Sequence, residues 1–220
     1  MDEALWLGCT DPEQMLAFLE GKLSTRKQRF FACACVRSAW RLLRDSRSHK
    51  AIEIGERYAD GLVDENERHA VCEAAWGPYG TERGLFLQAV RAAHTVAESS
   101  LSFSHKETVY AARWAAATKG WSAPAPRPAQ AAWLRDVIGN PYRPVVLDPA
   151  WRTHTVIALA QAAYDDRSLP SGTLDPDRLA VLADALEDAG CDNADVLSHL
   201  RGPGPHVRGC WPLDLMLAKR

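Results

Sequence analysis

The residue types best suited to chemistry gather near the carboxyl end of the chain. Two cysteines and two histidines lie there in the order Cys-x7-His-x6-His-x3-Cys, namely Cys191, His199, His206 and Cys210. Two thiolates and two imidazoles suit tetrahedral zinc, and the Gly202-Pro-Gly-Pro205 loop between the histidines could reverse the chain. The order argues against zinc, because familiar zinc motifs use close Cys–Cys and His–His pairs. A zinc-stabilised helical module is therefore an alternative, and we expect neither a bound metal ion nor another cofactor.

The same region has the residue types of a nucleophile and its base. His206 and Cys210 could play these roles in a cysteine hydrolase. The sequence shows neither a third group to orient the base nor a donor for an oxyanion. It also lacks the phosphate-binding, dinucleotide-binding and metalloprotease motifs. Cysteine hydrolysis stays an alternative, no catalytic residue is assigned, and we expect a protein that is not an enzyme.

The charge of the chain is balanced overall but unevenly distributed. The 26 basic and 28 acidic residues leave a net charge of −2, while residues 21–50 hold nine basic residues and one acid. On one helix Arg37, Arg41 and Arg44 would fall at positions i, i+4 and i+7, which we call the basic ridge. Such a ridge could follow phosphates, so an anion or nucleic-acid binder through a basic helix Arg26–Arg47 is another alternative. Runs of charge usually face solvent, and we expect no binding of nucleic acid.

Helix start and stop signals are frequent along the chain. A Ser, Thr or Asp followed three residues later by Glu or Gln is typical of a helix start. This pattern occurs at residues 10–13, 25–28, 64–67 and 104–107. Asp148 and Asp175 each precede a proline, an arrangement that favours a cap and a first helical turn. Four glycines are expected to end helices in the left-handed conformation: Gly61, Gly120, Gly139 and Gly190.

Apolar residues between these signals recur with a helical period. Leu179, Leu182 and Leu186 form one such stripe, and period-two alternation over six residues is absent. The segment Arg143–Leu147 is enclosed by prolines and is expected to be an extended connector. The sequence therefore predicts an all-α fold, a multi-helix globular bundle of about ten helices with no substantial sheet.

The length and the proline pattern leave two domain organisations open. A chain of 220 residues with 47% hydrophobic residues can bury one large core. Alternating prolines in Ser122–Pro128 favour a stiff polyproline II path. We predict either a single helical domain over 1–220, or an N-terminal helical half over 1–120 and a C-terminal helical half over 129–220. In the second case residues 121–128 form a Pro-rich linker or loop.

The ends and the cysteines of the chain bear on its compartment. Met1-Asp2-Glu3 is acidic, whereas a secretory signal begins with positive charge. The longest apolar stretches, such as Phe30–Val36, are too short to cross a bilayer. Six cysteines are sparse for a disulfide-stabilised scaffold and are interpreted as reduced thiols. We therefore expect a soluble cytoplasmic protein that does not associate with membranes.

Several motifs near both ends of the chain point to one family. Near the start stands Trp6-Leu-Gly-Cys-Thr-Asp-Pro12; later come Asn140-Pro-Tyr-Arg-Pro144, Asp148-Pro-Ala-Trp-Arg-Thr153, Leu182-Ala-Asp-Ala-Leu-Glu-Asp-Ala-Gly-Cys-Asp-Asn193 and Gly202-Pro-Gly-Pro-His-Val-Arg-Gly-Cys-Trp211. Together they resemble a family of uncharacterised proteins multiplied in planctomycete bacteria. The resemblance implies a bacterial cytosolic protein and implies no activity, cofactor or site. Members have His-Cys-Arg where this chain has His199-Leu200-Arg201, so a metal site using that cysteine would be lost here.

The function favoured by the sequence is binding of another protein. The chain has eight tryptophans, and tryptophan and arginine are enriched at binding hot spots. A rigid Gly/Pro loop on a helical scaffold is also typical of recognition surfaces. We predict a non-enzymatic helical module for protein–protein interaction. Its candidate partner-binding residues are Arg37, Arg41, Arg44, His199, Arg201, His206 and Arg208.

Overall fold

The structure is a computed structural model that describes residues 1–77, 84–98 and 127–219. Eleven α-helices lie in these ranges. In chain order they are α1 (Glu3–Gly8), α2 (Pro12–Leu19), α3 (Thr25–Arg37), α4 (Ser46–Ala59), α5 (Glu65–Ala75), α6 (Gly84–Ala97), α7 (Arg127–Ile138), α8 (His154–Asp165), α9 (Pro176–Asp188), α10 (Ala194–Leu200) and α11 (Trp211–Met216). Short 3-10 helices cover Trp40–Leu42 and Pro149–Trp151. Within these ranges the only sheet is an antiparallel pair, β1 (Arg167–Ser168) with β2 (Thr173–Leu174). The predicted all-α fold is confirmed.

Helices begin close to the predicted start signals because side-chain oxygens satisfy their first N–H groups. The Asp64 carboxylate accepts a hydrogen bond from the backbone N–H of Glu67 and caps α5. Asp11 caps α2 and Ser24 caps α3, each one residue from the predicted position. Asp148 caps the 3-10 helix that follows it rather than an α-helix. The signal at 104–107 lies outside the described residues.

The predicted helix ends at glycines are also present. Gly61, Gly139 and Gly190 have φ angles of 68°, 78° and 86°, and this left-handed conformation is accessible to glycine without steric cost. Gly120 lies outside the described residues. The segment Arg143–Leu147 contains no regular helix or strand, as predicted for a connector rich in proline.

The predicted basic helix Arg26–Arg47 is wrong, because the chain makes two helices there. Helix α3 ends at Arg37, and α4 starts only at Ser46 after the 3-10 turn. The Ser38 hydroxyl donates to the carbonyl of Cys35 at 2.6 Å, and such a bond competes with continuation of a helix. Asp45 then caps α4. The i, i+4, i+7 relation of the basic ridge is therefore not formed.

The buried apolar side chains form two clusters, drawn mainly from two successive parts of the chain. The first apolar cluster gathers side chains from α1 to α7, among them Trp6, Phe31 and Leu134, together with Val207 from the loop after α10. The second apolar cluster gathers side chains of α8 to α11, among them Leu179 and Leu213. Helix α7 belongs to the first cluster and packs against α2 and α3. Apart from Val207, the two cores therefore separate along the chain after α7.

The Pro-rich segment lies mostly outside the described part of the chain. Residues 121–126 are not described, whereas Arg127 and Pro128 form the first turn of α7. Whether the chain forms one domain or two stays a prediction. None of the described helices combines the length and the apolar character that a membrane span requires.

Candidate metal centre

Four side chains from separate elements converge where the two apolar clusters meet. They are Asp136 on α7, His199 on α10, His206 in the following loop and Cys210 at the start of α11. Each offers one oxygen, nitrogen or sulfur atom, and these four atoms all lie within 4.8 Å of one another. Asp136, His206 and Cys210 are buried, and His199 is partly exposed.

The loop after α10 is shaped to return His206 towards α7. Gly204 has a φ angle of 81°, and a Cβ there would lie 2.7 Å from the backbone nitrogen of His206. The loop is then fixed to the two-stranded ribbon, since the backbone N–H of Leu174 donates to the carbonyl of His206 at 2.9 Å. Glycine at position 204 is required by both the backbone angle and the close approach.

Asp136 lies at the centre of the hydrogen bonds in the cluster. Its Oδ1 lies 2.9 Å from Nε2 of His199 and 2.9 Å from Nδ1 of His206. Its Oδ2 accepts the backbone N–H of Val207 at 2.8 Å. The Cys210 sulfur lies 3.3 Å from Nε2 of His199. Although Cys210 is the N-cap residue of α11, its side chain caps no N–H group and is directed to the cluster.

The outer ring nitrogens of both histidines are also held. Nε2 of His206 lies 3.1 Å from the carbonyl oxygen of Gly202, to which it donates. The indole Nε1–H of Trp211 donates to Nδ1 of His199 at 3.2 Å. These contacts fix the orientation of each ring, since an imidazole with both nitrogens engaged cannot turn without losing a hydrogen bond.

Burial and hydrogen bonding shift the pKa values of Asp136, His206 and Cys210 in different directions. Burial favours the neutral acid, but hydrogen bonds from His199 and His206 outweigh it and hold the pKa of Asp136 below its ordinary value. Burial opposes the charged form of His206, yet the bond to Asp136 raises the pKa of that imidazole. Burial raises the pKa of the Cys210 thiol well above its ordinary value, and the nearby Asp136 carboxylate adds to the effect. These shifts favour the ionised form of Asp136, the protonated form of His206 and the neutral form of the Cys210 thiol.

The chain was compared with known proteins at the levels of family, sequence and structure. No protein-family model, curated protein or solved structure matches it. The resemblance to the planctomycete family stays a prediction, and the role of the site has to be inferred from its geometry.

The structure corrects the four-residue zinc set that the sequence suggested. Cys191 is buried in the second apolar cluster and is not a member of the converging group. Asp136 takes its place, although it precedes His199 by 63 residues. The available signal was an acid among the buried positions of α7, beside Leu134 and Val137, where an unpaired charge would be costly.

The hydrolase alternative is not supported by the positions of its two residues. Both ring nitrogens of His206 are engaged, by Asp136 and by the carbonyl of Gly202. The imidazole hydrogen-bonded to the Cys210 sulfur belongs to His199. A buried thiol with a raised pKa is a poor nucleophile.

The predicted partner-binding residues lie in very different surroundings. Arg37 and His206 are buried, so a partner cannot contact their charged groups directly. Arg208 is mostly covered and pairs with Asp60 at 3.0 Å. Arg41 and Arg44 are exposed.

Two of these residues lie on either side of the Gly/Pro loop. Arg201 is exposed and pairs with Asp184 and Glu187 on α9, whereas His199 belongs to the converging cluster. The predicted partner-binding residues are therefore divided between buried positions and separate parts of the surface. Binding of another protein stays a prediction.

Proposed function

We propose that the protein is a metal-binding helical module that holds one zinc ion through Asp136, His199, His206 and Cys210. The observation that carries the proposal is the convergence of an oxygen, two nitrogens and a sulfur from four separate elements within 4.8 Å. The ion would join α7, in the first apolar cluster, to the loop and helices of the second. This proposal replaces the expectation of a metal-free protein, because the sequence did not connect Asp136 with the Cys/His cluster.

The charges of the four groups suit a buried divalent cation. A carboxylate and a thiolate carry two negative charges, and two neutral imidazoles add none, so a complex with Zn²⁺ has no net charge. A neutral complex avoids the large cost of burying an isolated ion. The mixed oxygen, nitrogen and sulfur set favours zinc over calcium or magnesium, which bind oxygen ligands.

The spacing of the donor atoms is close to that of a tetrahedral complex. Zinc bonds of normal length place nitrogen and oxygen ligands about 3.3 Å apart, and nitrogen and sulfur ligands about 3.6 Å apart. The corresponding distances here are 2.9 Å and 3.3 Å for three of the pairs. An ion would therefore enter with shifts of a few tenths of an ångström along these edges.

The hydrogen bonds that Asp136 and His206 make outside the cluster are consistent with a role as metal ligands. His206 donates through Nε2 to the carbonyl of Gly202, which leaves Nδ1 for the metal. The N–H of Val207 holds Oδ2 of Asp136, which leaves Oδ1. Partners of this kind orient metal ligands and increase their basicity. Four protein ligands close the coordination sphere, as in structural rather than catalytic zinc sites.

His199 supplies an internal reporter of metal binding. Its Nδ1 accepts the indole N–H of Trp211, so in the metal-free protein a neutral ring carries its proton on Nε2. If a metal ion binds Nε2 of His199, the proton of the neutral ring must lie on Nδ1. Nδ1 then carries an N–H group and cannot accept the hydrogen bond from the indole N–H of Trp211. The Trp211 side chain must then change its hydrogen bond, and its fluorescence should change with it.

The test is a titration of metal-free protein with zinc, and with cobalt as a spectroscopic substitute. We expect one equivalent to bind, visible bands of tetrahedral cobalt with a thiolate ligand, and a change in tryptophan fluorescence that is lost in Trp211→Phe. Asp136→Asn and Cys210→Ser should each weaken binding by at least about 100-fold, since loss of an outer partner alone costs 10–100-fold. The matched control is Cys191→Ser, which removes a buried thiol outside the group and should keep full affinity. Absence of stoichiometric binding, or loss of binding in Cys191→Ser, would refute the site.

A further inference from the structure

A second convergence of chemically capable side chains lies between α5 and α6, away from the candidate metal centre. Cys72 stands in the last turn of α5 and His94 in the last turn of α6. The Cys72 sulfur lies 3.2 Å from Nε2 of His94. Nδ1 of the same ring lies 3.5 Å from Oε1 of Glu98. A thiol, an imidazole and a carboxylate therefore follow one another in space, in the order of a cysteine nucleophile, its proton carrier and an orienting acid.

The surroundings of His94 favour its charged form. The ring of Trp76 lies against the imidazole, with centroids 4.0 Å apart, and an aromatic face attracts a cation. Burial opposes protonation, but the contacts with Cys72 and Glu98 outweigh it and raise the pKa of His94 to about 9. An imidazolium donates through both ring nitrogens, so its Nε2–H is directed at the sulfur.

Charged groups on the packed helices surround the Cys72–His94 pair. Arg68 lies one turn before Cys72 on α5. Its hydrogen bond with Glu65 is the main cause of its raised pKa, and the electrostatic interaction with Cys72 adds to that effect. Arg68 also donates to the carbonyl of Ala97 at 2.6 Å and pairs with Glu65. From α3, Arg29 lies close enough to Arg68 and Glu98 to interact with both. Arg68 and His94 are therefore cationic groups close to the Cys72 sulfur, and each is paired with a carboxylate.

Access to the pair is narrow. Cys72 is 5% exposed and His94 6% exposed, while the carboxylate of Glu98 reaches solvent more freely. Large acyl or peptide substrates would need to displace packed side chains to reach the sulfur. A small, uncharged electrophile needs no such movement, and hydrogen peroxide is the smallest oxidant that reacts with thiolates.

We propose that Cys72 is a peroxide-reactive cysteine, with His94 as the proton donor beside its sulfur and Glu98 as the group that orients the imidazole. In the reaction the Cys72 thiol gives its proton to solvent, the sulfur attacks one oxygen of the peroxide, an S–O bond forms and the O–O bond breaks. The sulfur loses two electrons and becomes a sulfenic acid, and the peroxide is reduced. The leaving hydroxide takes the proton from Nε2 of His94 and departs as water. The neutral imidazole then regains a proton from solvent, with Glu98 orienting its Nδ1.

The other cysteines provide the comparison within the same molecule. Burial raises the pKa of the Cys33, Cys35, Cys191 and Cys210 thiols, which makes them unreactive. Cys9 is more exposed than Cys72, and its Sγ–H donates to the carbonyl of Asp11 at 3.3 Å. If exposure decided reactivity, Cys9 would react first; if the imidazolium decides it, Cys72 reacts first.

The experiment treats the intact protein at neutral pH with hydrogen peroxide below one equivalent, and traps sulfenic acid with dimedone for mapping by mass spectrometry. We expect labelling at Cys72 to exceed that at Cys9 by at least about tenfold, since a positioned proton donor typically contributes more than that. His94→Gln should lower labelling of Cys72 by a similar factor and leave Cys9 unchanged, and Glu98→Gln should have a smaller effect in the same direction.

Two outcomes overturn the proposal. One is labelling of Cys9 at a rate equal to or above that of Cys72 in the unsubstituted protein, a comparison that does not depend on the folding of any variant. The other is unchanged labelling of Cys72 in a folded His94→Gln protein. Because neither Cys72 nor His94 belongs to the candidate metal centre, the result is independent of zinc binding by Asp136 and its neighbours.

Discussion

At the scale of single residues, Arg37 shows how burial determines the role of a charged side chain. Its Nε and Nη2 donate to the two carboxylate oxygens of Glu56 at 2.6 Å and 2.9 Å, and Nη1 donates to the carbonyl of Pro170 at 2.9 Å. Arg167 also contacts the same carboxylate at 3.0 Å. The planar fork of arginine matches a carboxylate in a way that a single ammonium cannot.

We therefore expect Arg37→Lys to destabilise the protein although it keeps the charge. The lysine can make one bond to Glu56 and leaves the carbonyl of Pro170 without its donor, and a cost of about 2–3 kcal/mol is expected for a buried pair weakened in this way. Urea unfolding followed by circular dichroism measures the change. Arg41→Lys is the control, because Arg41 is exposed. This substitution should change the free energy of unfolding by less than about 0.5 kcal/mol. Equal effects of the two substitutions would mean that Arg37 acts as a simple surface charge.

Prediction of the candidate metal centre was also limited at the residue scale. His199, His206 and Cys210 could be proposed from sequence, because they lie close together along the chain. Asp136 could not, since it approaches them only when α7 packs beside α11. Cys191 has the right residue type and spacing, yet it packs among apolar side chains of the second cluster. Residue type and spacing along the chain therefore predict some of the residues of a metal site. Helix packing determines which residues actually lie close enough together to form it.

At the scale of secondary-structure elements, the close contact between α4 and α6 depends on Gly55 within α4. A Cβ at Gly55 would lie 2.4 Å from the carbonyl oxygen of Val96, near the end of α6. The same oxygen accepts a hydrogen bond from Nη1 of Arg29 at 2.5 Å. Helix starts and ends could be predicted because caps are local, but this crossing could not, since a glycine inside a helix looks like a weak helix former.

Gly55→Ala should accordingly destabilise the protein. Alanine is the better helix former by about 1 kcal/mol, but the clash with the backbone of α6 forces the two helices apart. Overpacking of this kind typically costs about 1–3 kcal/mol, so we expect a net loss of about 1–2 kcal/mol in the free energy of unfolding. In the control Gly8→Ala, nothing lies within 4 Å of the added Cβ, and stability should be unchanged or slightly higher. A stabilised Gly55→Ala protein would show that propensity outweighs packing at this crossing.

At the scale of the whole molecule, polar groups connect the two apolar clusters, in addition to apolar contacts such as that of Val207, which follows α10 but packs in the first cluster. The candidate metal centre is one connection, from α7 to the loop after α10. The other is centred on Asp60, just after α4, whose side chain is fully buried. The carboxylate of Asp60 accepts the hydroxyl of Tyr164 on α8 at 2.8 Å, and Arg26 on α3 donates to it at 3.0 Å. Arg208 also pairs with it at 3.0 Å.

This network contains more positive than negative charges. Asp60 is central to it, because three cations share its carboxylate. Arg26, Arg208 and Lys219 all contact Asp60, and Asp214 is the second acid, shared by Arg26 and Lys27. The fold class could be predicted from helix caps and apolar stripes. The joining of the clusters could not, because no local pattern links Asp60 to Tyr164, which lies 104 residues further along the chain.

Asp60→Asn should consequently weaken the connection between the two clusters. The amide keeps the volume but removes the negative charge from among three cations, and uncompensated buried charge costs about 3–5 kcal/mol. We expect a loss of that size in the free energy of unfolding, measured in urea on metal-free protein so that zinc binding does not contribute. Glu67→Gln is the matched control, because it removes one partner of the exposed Arg57–Glu67 pair, and such pairs contribute at most about 1 kcal/mol. If the two substitutions cost the same, the Asp60 network does not hold the clusters together, and the candidate metal centre and the apolar contacts between helices must do so alone.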